Sequence, residues 1–175
     1  MQAPSIAIVG ATGAVGRECL SILEQRNFKH AVGSGGIKLL ASSRSAGSTI
    51  PYRGQKVPVE ELGPNSFQGI KLAFFAAGAD TVKAFAPIAI AAGCTVIDKS
   101  SAYRSDPSVA LVIPEVNPEA LEPLRGRAGI AAVPNCSTII LLIPLNPIRN
   151  AFGTERIVVS TYQAASGAGA AAMEE

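Results

Sequence analysis

The sequence predicts an α/β protein built on a doubly wound, mostly parallel sheet. Three observations support this: apolar runs of strand length recur along the chain, segments with helical character separate them, and the first run leads directly into a glycine-rich turn. Strands of a parallel sheet are buried on both faces and need crossover connections, which are usually helices. With 175 residues, 48% of them hydrophobic, the chain has enough apolar material for an ordinary core.

The apolar runs define the expected strands, which are Ser5–Val9, Ile37–Ala41, Leu72–Ala77, Cys94–Ile97, Ala110–Ile113, Gly129–Val133 and Arg156–Tyr162. A first helix should have one apolar face, formed by Val15, Cys19, Ile22 and Leu23. A second helix is expected over 81–92 and should kink or restart at Pro87. A third should follow Cys136; it is apolar nearly all round, which suits a buried helix, and Pro144 and Pro147 should bend or end it.

The last residues, AASGAGAAAMEE, lead into what looks like the start of a helix. One or two helical turns are not stable alone. We therefore expect this chain to be part of a longer protein.

Composition and charge exclude several classes of function. The formal net charge is +2 and the basic residues are scattered, so nucleic acid is not an expected partner. The longest apolar run, Ile139–Leu145, contains a proline and is too short to span a membrane, and the N-terminus lacks a basic region and a cleavage site. Cys19, Cys94 and Cys136 are widely spaced, which argues against a disulfide framework and a zinc site. We therefore expect a soluble, cytoplasmic protein with no membrane association.

The first expected strand runs into GATGAVG, a glycine loop at a strand-to-helix turn. Gly10 allows the tight turn, Gly13 lets the backbone approach a pyrophosphate, and Gly16 lets the helix pack closely on the sheet. This is the context of a Rossmann-type dinucleotide site, and the loop lacks the Gly-Lys-Ser/Thr ending of a triphosphate-binding loop. The alternative is a glycine turn that serves only to reverse the chain.

The second expected strand ends in LLASSRSAG, where an NAD-specific fold usually places an acidic residue on the ribose hydroxyl. No acidic residue is present. Arg44, flanked by Ser43 and Ser45, instead offers a guanidinium and two hydroxyls to a 2′-phosphate. We therefore predict NADP rather than NAD as the cofactor, the alternative being that Arg44 is a solvated surface side chain.

Ligands of an open parallel sheet collect beyond the carboxyl ends of its strands. The loops expected there are AAGAD, DKSSAYR and PNCST. Ala77 and Gly78 of the first loop are expected on the cofactor side. DKSSAYR offers two cations and two hydroxyls that suit a phosphate, on Lys99, Ser100, Ser101 and Arg104. An ordinary exposed polar loop is the alternative.

Cys136 closes the PNCST loop and opens the following helix. Backbone N–H groups and the helix dipole favour a thiolate there, so the position suits a nucleophile, with core packing as the alternative. Cys19 and Cys94 are expected to be inert packing residues. Gln163, at the end of the last expected strand, could orient a carbonyl group by hydrogen bonding or could simply bond the backbone.

Taken together, these residues resemble the aspartate-semialdehyde dehydrogenase family over essentially the whole chain. The resemblance rests on seven segments in this order: GATGAVG, SSRSAG, FAPIAIAAG, SSAYRSDP, IPEVNP, PNCST and STYQAASGAG. It implies a dinucleotide-binding domain over 1–134 and the beginning of an α+β catalytic and dimerisation domain over 135–175. It also implies NADPH-dependent reductive dephosphorylation of L-aspartyl 4-phosphate to L-aspartate 4-semialdehyde and phosphate, by a homodimer when full length, in lysine, threonine, methionine and diaminopimelate biosynthesis.

The resemblance also implies roles residue by residue. Cys136 would attack the acyl phosphate to give a thioester that accepts hydride, Asn135 and Gln163 would position the acyl group, and Arg104 would hold the phosphate. The implied cofactor contacts are Thr12, Gly13, Ala14, Val15, Arg44, Ser45, Ser166 and Gly167.

The chain departs from the family in two respects. Lys99 stands where many members have Asn before the Ser-Ser pair. The family's catalytic histidine, its carboxylate-binding arginine and a further phosphate-binding lysine lie beyond the position of Glu175, and the one histidine present, His30, is expected at the surface, away from Cys136. Two alternatives stay open: an enzyme similar to N-acetyl-glutamyl-phosphate reductase, which uses a similar cysteine, and a non-catalytic NADP-binding module.

Overall fold

The computed structural model describes residues 5–26 and 36–164 of the chain. Within them, eight strands form one sheet: β1 Ser5–Val9, β2 Ile37–Ala41, β3 Thr49–Tyr52, β4 Gln55–Glu61, β5 Ile70–Phe75, β6 Thr95–Asp98, β7 Ala110–Leu111 and β8 Gly129–Ala132. The α-helices are α1 Ala14–Gln25, α2 Ala79–Ala91 and α3 Cys136–Phe152, and a 3₁₀ helix spans Pro118–Leu124.

The strand order across the sheet is β3-β4-β2-β1-β5-β6-β8-β7. Every neighbouring pair is parallel except β3 and β4, which form an antiparallel hairpin at one edge. The crossover from β1 to β2 contains α1, and the crossover from β5 to β6 contains α2. The predicted fold class, a doubly wound and mostly parallel sheet, is confirmed.

The core forms two layers, one on each face of the sheet. Ile6 and Ile8 of β1 join the apolar cluster that contains Leu20 of α1. Val9, on the opposite face of the same strand, joins the cluster that contains Val82 of α2. Successive side chains of a strand point to opposite faces, so burial on both faces explains why β1 is apolar throughout.

Most of the predicted strands are confirmed. The strands at 5–9 and 37–41 have the predicted bounds, and the ends of β5, β6, β7 and β8 differ from the predicted ones by at most two residues. Small shifts at the ends are expected because an apolar pattern specifies burial, whereas the hydrogen-bonded ladder decides where a strand ends.

The β3–β4 hairpin is absent from the sequence prediction. Its strands are polar on one face and contain Pro51 and Pro58, so they lack the continuous apolar run that marks the other strands. A two-residue turn joins them at Arg53 and Gly54, both with positive φ (50° and 74°), as tight hairpin turns require. The Arg53 N–H donates a hydrogen bond to Oε1 of Glu24 at 3.0 Å, which fastens the hairpin to α1.

The predicted strand at 156–162 does not form. Its Ile157, Val158, Val159 and Tyr162 side chains are exposed, and no strand in the described part of the chain pairs with the segment. An extended apolar segment becomes a strand only where a neighbour satisfies its backbone N–H and C=O groups. The prediction is therefore wrong for this chain, because an apolar pattern does not supply the partner strand.

Neither long helix ends at its prolines. α2 continues past Pro87 to Ala91, and α3 continues past Pro144 and Pro147 to Phe152. A proline removes one N–H donor from the helix and leaves a carbonyl unpaired. All three prolines are on exposed positions, where water can bond that carbonyl, so the expected end or restart of each helix does not occur.

α3 is also not the buried helix that its apolar sequence predicts. None of its residues is buried, and Ile140 and Phe152 are 74% and 87% exposed. An all-round apolar helix needs a covering layer on every side, and residues 5–26 and 36–164 cover α3 only in part, with Ile139, Leu142 and Leu145 half-buried. Despite its apolar character, neither α3 nor any other helix in these ranges is long and apolar enough to cross a membrane.

The glycine loop gives a test of how helix and sheet pack. A Cβ on Gly16 would lie 2.8 Å from Cα of Ala11 and closer still to the Gly10 carbonyl, whereas a Cβ on Gly13 would come no nearer than 3.4 Å to that carbonyl. Gly16→Ala should therefore lower the free energy of unfolding by about 2 kcal/mol or more, because α1 must move away from β1. Gly13→Ala is the matched control.

Chemical denaturation of both variants measures this difference. The expected result is a clear loss of unfolding free energy for Gly16→Ala and a loss of less than about 1 kcal/mol for Gly13→Ala. Equal losses in the two variants would contradict the close-packing role of Gly16.

Candidate active site

Five parallel strands end at one edge of the sheet, and the loops that the sequence singled out follow them. The last residues of these strands are Val9, Ala41, Phe75, Asp98 and Ala132. Because β2, β1, β5, β6 and β8 are consecutive neighbours, these loops lie side by side. The structure therefore brings the expected cofactor, phosphate and cysteine loops to a common edge.

The glycine loop is held by backbone hydrogen bonds. The N–H groups of Gly10 and Ala11 donate to the carbonyl of Leu40 at 2.8 and 3.1 Å, and the N–H of Gly13 donates to the carbonyl of Gly10 at 3.1 Å. Gly10 has φ +82°, which strongly favours glycine. Gly13 immediately precedes α1 and has no side chain to cap it, so the first N–H groups of the helix are available to an anion such as a pyrophosphate.

Five further residues assigned to the cofactor follow the ends of β1 and β5. Thr12 is half-buried, and its carbonyl accepts a hydrogen bond from Nε of Arg17 at 3.1 Å. Ala14 and Val15 are exposed on the first turn of α1. Ala77 is half-buried and Gly78 directly precedes α2.

Arg44 lies in the turn that follows β2. Ser43 and Arg44 are exposed, and Ser45 is half-buried. The N–H of Ser45 donates to the carbonyl of Ser42 at 2.9 Å, and the N–H of Gly47 donates to the carbonyl of Val59 in β4 at 2.9 Å. The backbone of the turn is thus fixed while the guanidinium faces solvent.

Arg104 is held between two loops. Its Nε donates to the carbonyl of Val133 at 2.9 Å, and its Nη2 donates to the carbonyl of Lys99 at 3.0 Å. The guanidinium is therefore held by the backbone that follows β6 and by the backbone that follows β8. Ser101 is exposed on the same loop.

Lys99 is exposed, and its charge acts on Cys19 of α1. Burial raises the pKa of the Cys19 thiol, and the Lys99 ammonium partly opposes that rise.

Cys136 is the first residue of α3 and is exposed. Asn135 caps the helix, because its Oδ1 accepts hydrogen bonds from the N–H of Ser137 at 3.0 Å and from the Ser137 hydroxyl. Nε2 of Gln163 donates to Sγ of Cys136 at 3.1 Å. Cys136 and Gln163, which the sequence analysis assigned to the same reaction, are thus in contact although 27 positions separate them. The strand expected before Gln163 does not form.

Cys19 and Cys94 differ from Cys136 in both exposure and bonding. Cys94 is fully buried, and its thiol donates to the carbonyl of Ile70 at 3.1 Å. Burial raises the pKa of both the Cys94 thiol and the Cys19 thiol. Within the described ranges no group of three or more His, Cys, Asp or Glu side chains could hold a metal ion.

One residue of the site was missed by the sequence analysis. Asp98 ends β6 and is fully buried; its Oδ1 accepts the N–H of Ser100 at 2.7 Å, and its carbonyl accepts the N–H of Val133 at 2.8 Å. The sequence signal available was an acidic residue directly after an apolar run. An acidic residue there is unfavourable unless its side chain is hydrogen-bonded, so its presence indicates a specific role. Ser166, Gly167 and His30 lie outside the described residues.

Two family models match the chain. The model described as semialdehyde dehydrogenase, NAD binding domain, matches residues 5–124, and the model described as semialdehyde dehydrogenase, dimerisation domain, matches residues 145–175. The chain belongs to the semialdehyde dehydrogenase family.

Curated relatives and solved structures that the chain is similar to are aspartate-semialdehyde dehydrogenases. Aspartate-semialdehyde dehydrogenases of Bacillus subtilis and Aquifex aeolicus are 48% and 50% identical to this chain, over 97% of its length and over 47% and 49% of theirs. The crystal structure of aspartate semialdehyde dehydrogenase II from Vibrio cholerae complexed with ASA matches with a TM-score of 0.90 at 45% identity, over 99% of this chain and 50% of that one. The enzyme from Candida albicans, solved with NADP, matches with a TM-score of 0.72 at 27% identity, over 86% of this chain and 48% of that one. The chain thus spans about half the length of these relatives.

The exposed guanidinium of Arg44 gives a test of cofactor choice. Arg44→Ala should weaken NADPH binding by about tenfold or more and leave NADH binding nearly unchanged, since only NADPH carries a 2′-phosphate for the guanidinium to bond. Fluorescence titration with both nucleotides measures the effect. Lys56→Ala, which removes another exposed cation in β4, is the control, and an unchanged NADPH affinity in Arg44→Ala would count against the assignment.

Proposed function

We propose that this chain provides the cofactor domain and the nucleophile of an NADPH-dependent aspartate-semialdehyde dehydrogenase. Its reaction is the reductive dephosphorylation of L-aspartyl 4-phosphate to L-aspartate 4-semialdehyde and phosphate, which serves lysine, threonine, methionine and diaminopimelate biosynthesis. The observation that carries the proposal is the exposed Cys136 thiol at the start of α3, bonded by the Gln163 amide at 3.1 Å. The same sheet edge carries the glycine loop and Arg104.

The residues at the edge fit a dinucleotide phosphate. The space in front of Gly13 is open, because an added Cβ would contact only the Gly10 carbonyl at 3.4 Å. Pyrophosphate would bond the backbone of Thr12, Gly13, Ala14 and Val15 at the N-terminus of α1. The 2′-phosphate would bond Arg44 together with Ser43 and Ser45. The further cofactor contacts proposed are Ala77, Gly78, Ser166 and Gly167.

Cys136 is the proposed nucleophile. Its thiolate attacks the acyl carbon of the substrate, the bond from that carbon to the phosphate oxygen breaks, and phosphate leaves, so that a thioester forms on Sγ. NADPH, when bound, supplies the hydride that reduces the thioester. The C–S bond then breaks and returns the thiolate. The Gln163 amide, already beside Sγ, and the Nδ2 group of Asn135 hold the acyl group in line.

Arg104 is the proposed phosphate ligand. An arginine side chain has five N–H donors, of which one at Nε and one at Nη2 bond the carbonyls of Val133 and Lys99. Three donors therefore stay available to phosphate oxygens. Lys99 and Ser101, exposed on the same loop, are proposed as additional phosphate contacts.

The proposed organisation follows from the same residues. We assign 1–134 to the cofactor domain and 135–175 to the beginning of the catalytic and dimerisation domain, with a homodimer as the assembly of the full-length protein and the cytoplasm as its location. The match of residues 145–175 to a dimerisation domain supports the oligomeric part of this proposal.

Thiol reactivity separates the enzyme from a non-catalytic NADP-binding module. Iodoacetamide should alkylate Cys136 at least about tenfold faster than Cys19 or Cys94 near neutral pH, because Cys136 is exposed while burial raises the pKa of the other two thiols and lowers their thiolate fraction. Peptide mass spectrometry resolves the three sites, and Cys136→Ser is the control. Equal, slow labelling of all three cysteines would favour the non-catalytic module.

Turnover tests the reaction itself. L-aspartate 4-semialdehyde, phosphate and NADP should give NADPH when the protein extends to the length of its relatives, and Cys136→Ala should abolish this activity. The 175-residue chain by itself should be at least about a hundredfold slower, because its one histidine, His30, follows the first helix and an acid–base partner is typically worth that much. Full activity of the short chain, or a preference for N-acetyl-glutamate semialdehyde, would contradict these expectations.

A further inference from the structure

Asp98 is the only charged residue that is buried within the described chain. It lies at the end of β6, in register with Phe75 of β5 and Ala132 of β8, so apolar strands flank it on both sides. Its Oδ1 has one hydrogen bond, and its Oδ2 is buried with no hydrogen-bond partner. A buried carboxyl group with so few partners is unfavourable in an apolar core, so packing alone does not account for Asp98 at this position.

The carboxylate organises the turn that follows β6. Its Oδ1 accepts the N–H of Ser100 at 2.7 Å, and the hydroxyl of Ser100 in turn accepts the N–H of Ala102 at 3.0 Å. Ala102 and Tyr103 pack against the core layer that contains α2. These contacts fix the direction of the chain from Asp98 to Arg104.

The Asp98 carboxylate also orients one of the two carbonyls that hold Arg104. This one is the carbonyl of Lys99, the next residue in the chain, which accepts Nη2 of Arg104 at 3.0 Å. The other is the carbonyl of Val133, which accepts Nε of Arg104 at 2.9 Å. The N–H of Val133 donates to the backbone carbonyl of Asp98 at 2.8 Å. The Lys99 carbonyl depends on the Asp98 side chain, because it belongs to the same peptide group as the Ser100 N–H that donates to Oδ1. The Val133 carbonyl is held by the backbone that follows β8 and gives the guanidinium its second, independent anchor.

We propose that Asp98 is a positioning residue: its buried carboxylate holds the 98–104 turn so that the donors of Arg104 that are not bonded to backbone face the phosphate of the substrate. The inference rests on the proposed function, since it deepens the role given there to Arg104. Because Asp98 is fully buried, its assigned role is to act through the orientation of the guanidinium.

The test uses inorganic phosphate as the probe and the alkylation of Cys136 as the readout. Phosphate bound at Arg104 should slow the reaction of Cys136 with iodoacetamide, and the phosphate concentration that halves the rate measures binding. Asp98→Leu removes the acceptor and keeps a side chain of similar shape, and it should raise that concentration about tenfold or more. Asp98→Asn keeps the Oδ1 acceptor and should stay within about threefold of the unmodified protein.

The matched control is Asp106→Leu. Asp106 accepts the N–H of the residue two positions on, Ser108, at 2.9 Å, as Asp98 does with Ser100, but it follows Arg104 and contacts neither carbonyl. Its substitution should leave phosphate protection unchanged. NADPH titration reports whether each variant is folded, and if Asp98→Leu does not fold, Asp98→Ala replaces it in the same comparison.

A double variant separates positioning from a general structural effect. In an Arg104→Lys background, which retains a charge but lacks the bonded guanidinium, Asp98→Leu should have no further effect on phosphate protection. An additive effect in this background, an equal loss in Asp98→Asn, or an unchanged Asp98→Leu would each overturn the inference. Absence of phosphate protection in the unmodified chain would overturn the Arg104 assignment as well, whereas sluggish Cys136 alkylation without phosphate would count against the proposed function itself.

Discussion

The parallel pairing of β2, β1, β5, β6 and β8 is the constraint on which the candidate site depends. Adjacent strands of a sheet lie about 4.8 Å apart, so loops that leave their carboxyl ends are neighbours regardless of their separation in sequence. This places Gly10, Arg104 and Cys136 at one edge. A slip of β6 by one residue would move the Asp98 side chain to the other face of the sheet, and the loop that carries Arg104 would change direction with it.

Backbone hydrogen bonds, rather than side chains, continue this ladder into the loops. The residue that follows β5, β6 or β8 donates its N–H to the carbonyl of the last residue in the adjacent strand, which is β1, β5 or β6, respectively. These bonds run from Ala76 to Val9, from Lys99 to Phe75 and from Val133 to Asp98. Because the backbone holds the loops in place, exposed side chains such as Arg44 and Cys136 stay available for ligands.

The parts of the fold that sequence could predict are those governed by local patterns. A strand buried on both faces, such as β1, is apolar throughout, and a glycine loop directly after it has a known geometry. The position of Cys136 in the fold was also predictable, because a cysteine between a strand end and a helix start lies at the carboxyl edge of a parallel sheet. The β3–β4 hairpin was missed because one of its faces is polar and its turn is Arg53-Gly54, whereas the strongest hairpin signals are Asn-Gly and Asp-Gly.

The parts that sequence could not predict depend on what lies next to a segment in space. Residues 156–162 have a strand-like pattern but no neighbouring strand in the described chain, and α3 has the apolar surface of a core helix without a core around it. The acidic residue after an apolar run and the bond from Ser100, two residues on, are local features of Asp98, but its burial between β5 and β8 arises from tertiary structure. Burial and pairing are properties of the assembled sheet, so an apolar pattern constrains them only in part.

Exposed apolar surface increases where the packed sheet ends. From α3 onward, Ile140, Phe152, Val158 and Tyr162 are largely exposed, and burying a side chain of this size is worth about 1.5–3 kcal/mol. Such a surface is typical of an interface, and it overlaps residues 145–175, which match a dimerisation domain. The same segment carries Gln163, whose amide contacts the Cys136 thiol. Any surface that covers residues 156–162 therefore also constrains that amide, which connects assembly of the protein with the environment of its proposed nucleophile.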